Sequence, residues 1–314
     1  MNKRDVILSL LNDDQAPPYI PAAFFLHFAP EFHQGQAAVD KHLEYFRYTG
    51  MDLVKIQYEK PLPPIPTIRT PDDWARMPRY GRDFFEGQLK VVEGLVKAAK
   101  QDAVIVVTLY SPFMGASHTA GDAVLTEHLK QDPEKVKPGL EIITDSMLLF
   151  ARECIELGVD GFYASTQGGE DGRFEDPAIF EQYIKPFDRV VMDEINAASP
   201  FNILHVCDYL RDYDDFSRFL DYPGDVVNSP LNLGDRTIMP AEAAQIFNRP
   251  YMGGLERKGV LATGTPDQVR QAALAVLKDA PERFILAADC TVPGDTPWDN
   301  LKAAIDAAHS YERT

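Results

Sequence analysis

The sequence predicts an α/β protein, a (β/α)8 TIM barrel with long loops over its C-terminal mouth, and three observations predict it. Short β-rich runs alternate with amphipathic helical segments along most of the chain, the pattern of successive βα units feeding a parallel sheet. Eight such runs can be marked out. The chain has 314 residues, 45% of them hydrophobic, enough for a large core and a common length for a one-domain barrel. Residues 1–314 are therefore read as a single barrel domain.

The eight runs are Tyr19–Phe28, Leu53–Tyr58, Ala103–Tyr110, Gly161–Ser165, Ile203–Cys207, Val226–Ser229, Tyr251–Gly254 and Phe284–Cys290. Several are continuously apolar, as strands are when helices cover one side and side chains fill the other. A short helix is expected to follow the first residues and to end at Asn12-Asp13-Asp14. Phe84–Lys100 is amphipathic. Glu141–Leu157 keeps Ile142, Met147, Leu149, Phe150 and Cys154 near a 3.6-residue period, and Gly158 ends it. Asp176-Pro177 opens the next helix with proline in the first turn. Thr265-Pro266-Asp267-Gln268 reads as a capping box, and Thr296-Pro297-Trp298-Asp299 as a close relative. Lys60–Asp83 and Ser111–Gly139, rich in proline and glycine, read as long loops. Following the second and third strands, they belong over the mouth, where barrel enzymes work.

Charge narrows the partners. There are 31 basic against 48 acidic residues, a net −17. That excludes nonspecific nucleic-acid binding, which needs a basic face. The uncharged stretch from Ala103 to Gly121 is broken by Ser111, Pro112 and Gly115, so no membrane span is expected. The start of the chain lacks the pattern of a signal peptide, and three cysteines are too few for a disulfide framework. A cytoplasmic location is expected.

The chemistry concentrates at two strand ends. Side chains alternate along a strand, so Ile203, His205 and Cys207 share one face, and Leu204 and Val206 the other. With the apolar pair against the helices, His205 and Cys207 point inward. Cys290 closes the eighth run and shares a face with Leu286 and Ala288. Three ligands and an open fourth position is the pattern of a catalytic zinc, and thiolate with imidazole favours zinc over magnesium or calcium. A zinc with two thiolates and one neutral histidine carries no net charge, which suits thiol alkylation better than hydrolysis. The same spacing also fits a buried thiol pair beside a locally satisfied histidine. Cys154 reads as inert core, and His309 as surface.

Ile203-Leu204-His205-Val206-Cys207, Gly253-Gly254-Leu255 with Thr263-Gly264-Thr265-Pro266, and Phe284-Ile285-Leu286 through Cys290 to Pro293 and Asp295-Thr296-Pro297 resemble the uroporphyrinogen decarboxylase superfamily. Gly158-Val159-Asp160-Gly161-Phe162 extends the resemblance upstream. That superfamily is a (β/α)8 barrel. Its decarboxylases carry an N-terminal arginine-rich motif, where this chain reads Phe25-Leu26-His27-Phe28-Ala29-Pro30 without arginine, and a histidine near the last strand's end, where this chain has Cys290. Its zinc-containing methylcobamide:coenzyme M methyltransferase branch carries H-x-C…C, met here by His205, Cys207 and Cys290.

The resemblance to that branch implies methyl transfer from methylcobalamin on a corrinoid protein to a zinc-activated small-molecule thiol, and a possible homodimer. Beside the metal set, Glu59 at the end of the second strand and Asp208 after the ligand pair are candidate catalytic carboxylates. Ser165, Gln167 and Asn228 are candidate substrate-binding residues, and Arg236, Arg257 and Lys258 could bind an anion or be solvated surface charges. Decarboxylation of a porphyrinogen-like polycarboxylate, and a noncatalytic corrinoid- or partner-binding barrel, are the alternatives.

Overall fold

The computed structural model describes residues 2–12 and 17–313. Asp13 and Asp14, expected to end the first helix, lie outside them; the helix itself spans Lys3–Ser9. Seven parallel strands form one curled sheet: β1 (Leu53–Ile56), β2 (Val104–Tyr110), β3 (Gly161–Thr166), β4 (Ile203–Val206), β5 (Val226–Asn228), β8 (Tyr251–Leu255) and β9 (Phe284–Ala288), in that spatial order. Strands β6 (Asn232–Leu233) and β7 (Arg236–Thr237) make a separate small hairpin that the sequence reading lacked.

The first expected strand is not regular. Residues 19–28 make isolated bridges, Ala22 to Leu286 of β9 and Leu26 to Val292. On the other side, the Asp52 N–H donates to the Ala22 carbonyl at 3.0 Å. This segment therefore joins the two edges of the sheet and completes the barrel. Pro17, Pro18 and Pro21 explain its irregularity, since proline donates nothing to a ladder. Pro21 contributes only its carbonyl, which accepts from the Leu286 N–H.

Helices cover the outside, and buried aliphatic residues of β1, β2 and β4 join theirs in one core cluster. The stretch expected as the loop Ser111–Gly139 is instead helical: Pro112–Ala120, Asp122–Gln131, and the beginning of Pro133–Glu156. Its prolines are helix starts. Ser111 caps the first helix by accepting from the Met114 N–H, and Asp132 caps the third by accepting from the Lys135 N–H, with proline in the first turn of both. Gly158 follows that third helix at φ +91°, the left-handed conformation expected of it. The Thr265 capping box is present. Its expected relative at Thr296 is not: Pro297 occupies the N-cap and the Thr296 hydroxyl has no partner. His309 is not a free surface side chain either, because its Nε2 lies 2.7 Å from buried Asp52. Cys154 is fully buried, its thiol pushed well above the ordinary range by burial.

Candidate metal centre

Strand alternation delivers the side chains. Lys55 and Gln57 project inward from β1 and its end, Thr108 and Tyr110 from β2, Tyr163 and Ser165 from β3; all line one cavity of about 870 Å³ at the C-terminal mouth. The helix Pro112–Ala120 covers part of that mouth with Met114, Ser117 and His118.

His205, Cys207 and Cys290 converge on the cavity wall, their ligand atoms all within 4.8 Å of one another. His205 stands in register with Ser165 on one side and Asn228 on the other. Its ring stacks on Tyr163, centroids 4.7 Å apart, and its buried Nδ1 has no hydrogen-bond partner. Cys207 follows β4 and is fixed through its backbone: its N–H donates to the Thr166 carbonyl, and its carbonyl accepts from the Tyr213 hydroxyl. The Gln167 amide donates to its sulfur at 3.5 Å. A hydrogen bond from Cys207 holds Cys290 well below the ordinary thiol range, with His205 and Arg257 adding to it against burial. Cys207 is pushed up correspondingly, first by Cys290 and then by burial.

Three convergent donors, two thiols and an imidazole with an unpaired buried nitrogen, fit a thiophilic cation. Tetrahedral zinc with two sulfurs and a nitrogen puts its ligand atoms about 3.5–3.8 Å apart, inside the observed limit.

Arg257 braces the centre. Its Nη1 reaches Asp208 at 2.8 Å and Asp289 at 3.1 Å, and its backbone N–H donates to Asp289 as well. Those acids are the chain neighbours of Cys207 and Cys290, so one guanidinium ties together both thiol-bearing segments. Burial pushes both carboxyls up, Asp289 to about 6, against the pull of Arg257. Asp208 thus holds Arg257 and does not itself line the cavity. Arg257 is a buried brace rather than a solvated charge, whereas Arg236 is exposed and pairs with Glu242.

The remaining sequence candidates divide. Ser165 and Gln167 line the cavity. Asn228 does not, because its side chain is fully engaged: Nδ2 donates to the carbonyls of Met252 and Ala288, and Oδ1 accepts from the Tyr163 hydroxyl. It cross-links β5 to β8 and β9 and holds Tyr163 in place. Glu59 sits beside the mouth in a separate crevice, where its Oε1 accepts from or pairs with His27 Nδ1 at 2.9 Å. Burial raises its carboxyl, but the His27 hydrogen bond and the charges of His27, His33 and His42 outweigh it, leaving a net lowering. Its link to the cavity is His27, which lines it.

Lys55, Gln57, His118 and Tyr110 were missed. Burial lowers the Lys55 ammonium to about 7, against the charges of Cys290, Glu59 and Cys207. Burial also pushes His118 down. A signal for the first two existed: a lysine and a glutamine two apart in an otherwise apolar strand share its inner face.

The sequence pattern of the uroporphyrinogen decarboxylase (URO-D) family matches residues 47–311. The chain belongs to this family. Among curated relatives, methylcobamide:CoM methyltransferase MtbA of Methanosarcina mazei is 26% identical over 230 residues, 71% of this chain and 63% of that protein. MtbA of Methanosarcina acetivorans is 23% identical over 256 residues, 78% of this chain and 70% of the relative. The chain thus spans less than two thirds of the first relative's length and slightly more of the second's. A solved methyltransferase structure from M. mazei shares the fold at TM-score 0.78 and 15% identity, covering 98% of both chains. The structure of a putative B12-independent methionine synthase from Listeria monocytogenes aligns at TM-score 0.58 and 13% identity, over 94% of this chain and 98% of that one. Membership and relatives together support an enzyme, and the TIM-barrel fold is shared. No helix among the described residues is long and apolar enough to cross a membrane.

Proposed function

We propose that this chain is a zinc-dependent methyltransferase that moves a methyl group from the methylated corrinoid of a partner protein to a small-molecule thiol. What carries the reading is the convergence of His205, Cys207 and Cys290 within 4.8 Å at the wall of a cavity of about 870 Å³ at the barrel mouth. In the reaction a sulfur–carbon bond replaces a cobalt–carbon bond, the bonding pair stays with cobalt, and the thiol proton is lost. Zinc held by these three residues would supply a thiol that stays deprotonated at neutral pH.

The chain's own residues do the rest. Gln167 donates to the Cys207 sulfur and tempers its basicity. Arg257 keeps the two thiol-bearing segments together through Asp208 and Asp289. Tyr163, anchored by Asn228, supports the face of His205. The barrel wall behind the cluster limits the directions from which a reactant can reach it.

Metal analysis of protein purified without chelator tests this. About one zinc per chain is expected, lost in Cys207→Ser together with at least about 100-fold of thiol methylation from methylcobalamin. Metal-free wild-type protein that turns over a porphyrinogen would instead establish decarboxylation. Against that second reading, Arg257, the one arginine among the described residues lining the cavity, is already paired with two acids.

A further inference from the structure

Glu59 and His27 form a pair that the steps described so far leave unused. The segment carrying His27 runs along the loop that follows Cys290: the Val292 N–H donates to the Phe25 carbonyl at 2.8 Å, and Leu26 bridges Val292. Gly294 permits this closeness, since a Cβ there would come within 2.8 Å of the His27 carbonyl. Glu59 is fixed from the other side. Buried Gln88 donates to the Gln57 carbonyl and accepts from the Glu59 N–H, which clamps the chain just beyond β1.

The partners decide where the protons sit. Burial raises the Glu59 carboxyl, but the hydrogen bond from His27 and the charges of the surrounding imidazoles more than offset it, so the group is an ionised acceptor at neutral pH. His27 Nδ1, 2.9 Å from Oε1, is then the donor. In the neutral ring that leaves Nε2 as a proton acceptor. Nε2 points away from Glu59, on a ring that lines the central cavity and is 45% exposed, and it has no hydrogen-bond partner among the described residues. His33 backs the carboxylate: its Nε2 donates to the Phe28 carbonyl at 2.7 Å, and its Nδ1 lies 3.7 Å from Oε2.

A carboxylate behind an imidazole that faces a cavity is the arrangement of a general base. The acid holds the tautomer and stabilises the imidazolium formed when Nε2 takes a proton. Apart from the metal set and the phenols, the other titratable groups on the wall are Lys55, His118, Asp122, Arg257 and Lys258. Three of these are cations and repel a proton toward solvent. Asp122 is engaged by Arg173 at 2.6 Å. Lys55 is only 5% exposed, so a proton placed on it has no route to water, and His118 has its Nδ1 buried without a partner. Among these groups His27 alone joins an ionised carboxylate to solvent.

We propose that His27, oriented by Glu59, is the base that takes the proton of the incoming thiol, directly or through one water, and passes it out of the cavity. The sulfur–hydrogen bond breaks with its electron pair left on sulfur, an Nε2–H bond forms, and the imidazolium then yields its proton to water. This rests on the methyl-transfer reading above.

Steady-state methyl transfer from methylcobalamin to 2-mercaptoethanol by the zinc-containing protein tests it, with the far more acidic trifluoroethanethiol as a second acceptor. In His27→Gln, kcat/KM for 2-mercaptoethanol is expected to fall about 100-fold, with zinc content and unfolding free energy unchanged. The loss should shrink to severalfold for trifluoroethanethiol, which arrives largely ionised at mildly alkaline pH, and added imidazole should restore part of the rate. Wild-type kcat/KM should rise with pH as His27 deprotonates. Glu59→Gln removes the charge that favours the imidazolium, so that rise should move to lower pH. A merely structural pair would depress both thiols alike and leave the pH profile in place. Equal losses for the two thiols without imidazole rescue, or an unchanged kcat/KM in His27→Gln, overturn the base and leave the methyl-transfer reading standing. Wild-type protein that binds zinc but methylates neither thiol overturns both.

Discussion

The bottom of the barrel and the cavity at its mouth differ in how completely their buried polar groups are paired. At the N-terminal ends of the strands, Asp52 and Asp160 are almost fully buried and completely paired. Asp160 accepts from both guanidinium nitrogens of Arg4, at 2.5 and 2.7 Å, and from the Ile105 N–H. Asp52 accepts from the Ala22 N–H and the Tyr19 hydroxyl and pairs with His309. At the C-terminal mouth Gln57 Nε2 and His205 Nδ1 are buried without a hydrogen-bond partner, and the Lys55 ammonium faces the rings of Phe25 and Tyr163. Satisfied charge at the bottom binds the N-terminal helix, the closing segment and the last helix to the barrel. Unsatisfied polarity at the top is what a ligand would complete.

The sharpest way to break this contrast is to remove a bottom charge. Asp160→Ala strands a buried Ile105 N–H and leaves Arg4 without its bidentate partner. Because Arg4 can still reach water, the loss is expected at about 2–4 kcal/mol of unfolding free energy. Denaturant unfolding measures it, while zinc content and ligand affinity of the folded protein stay unchanged. A loss of zinc binding at unchanged stability would show that the two ends are not separable.

Asp188 belongs to neither end and sharpens the rule. It is buried between its helix, Lys185–Ala198, and β3, accepting from the Thr166 and Tyr222 hydroxyls, with Oδ1 unpartnered. Burial raises its carboxyl to about 7, more than those hydrogen bonds lower it. The folded state therefore holds a proton that the unfolded state releases between about pH 4 and 7. The stabilisation is fully present below about pH 4 and is lost as the pH rises through about 7, at up to about 1.4 kcal/mol per unit. Asp188→Asn should flatten the wild-type decline in unfolding free energy over that range. An unchanged slope would mean that Asp188 ionises normally.

What the residues disclosed follows the same physics. Alternation in Ile203–Cys207 and the position of Cys290 at a strand end were enough to place the thiol pair and the histidine on one inner surface, because strand geometry is local. The closing segment looked like a strand because its apolar run is one, yet the prolines that break its ladder were equally visible. Ser111-Pro112 and Asp132-Pro133 lie in a proline- and glycine-rich stretch that reads as loop, although each is a cap followed by a first-turn proline. Asn228 was placed in the pocket, and only the tertiary structure shows its amide consumed by two carbonyls and a phenol. Arg257 was ambiguous for the same reason: its acids lie 32 and 49 positions away in sequence. Lys55 and Gln57 stand out in the sequence only as two polar residues on one face of an apolar strand, and that they are buried shows only in three dimensions.

The smallest test asks whether position at the mouth matters by itself. Thr265 caps the helix Pro266–Leu277 at the C-terminal side of β8, through reciprocal bonds with Gln268 on the exposed surface. Thr265→Ala removes the side-chain acceptor for the Gln268 N–H and is expected to cost about 1 kcal/mol. Thermal unfolding reads the loss. Ligand affinity should not move, because the cap lies outside the cavity and completes its own hydrogen bonds. If affinity fell with stability, the functional character of the mouth would reside in the rigidity of its loops, and the unpartnered side chains would no longer distinguish the two ends.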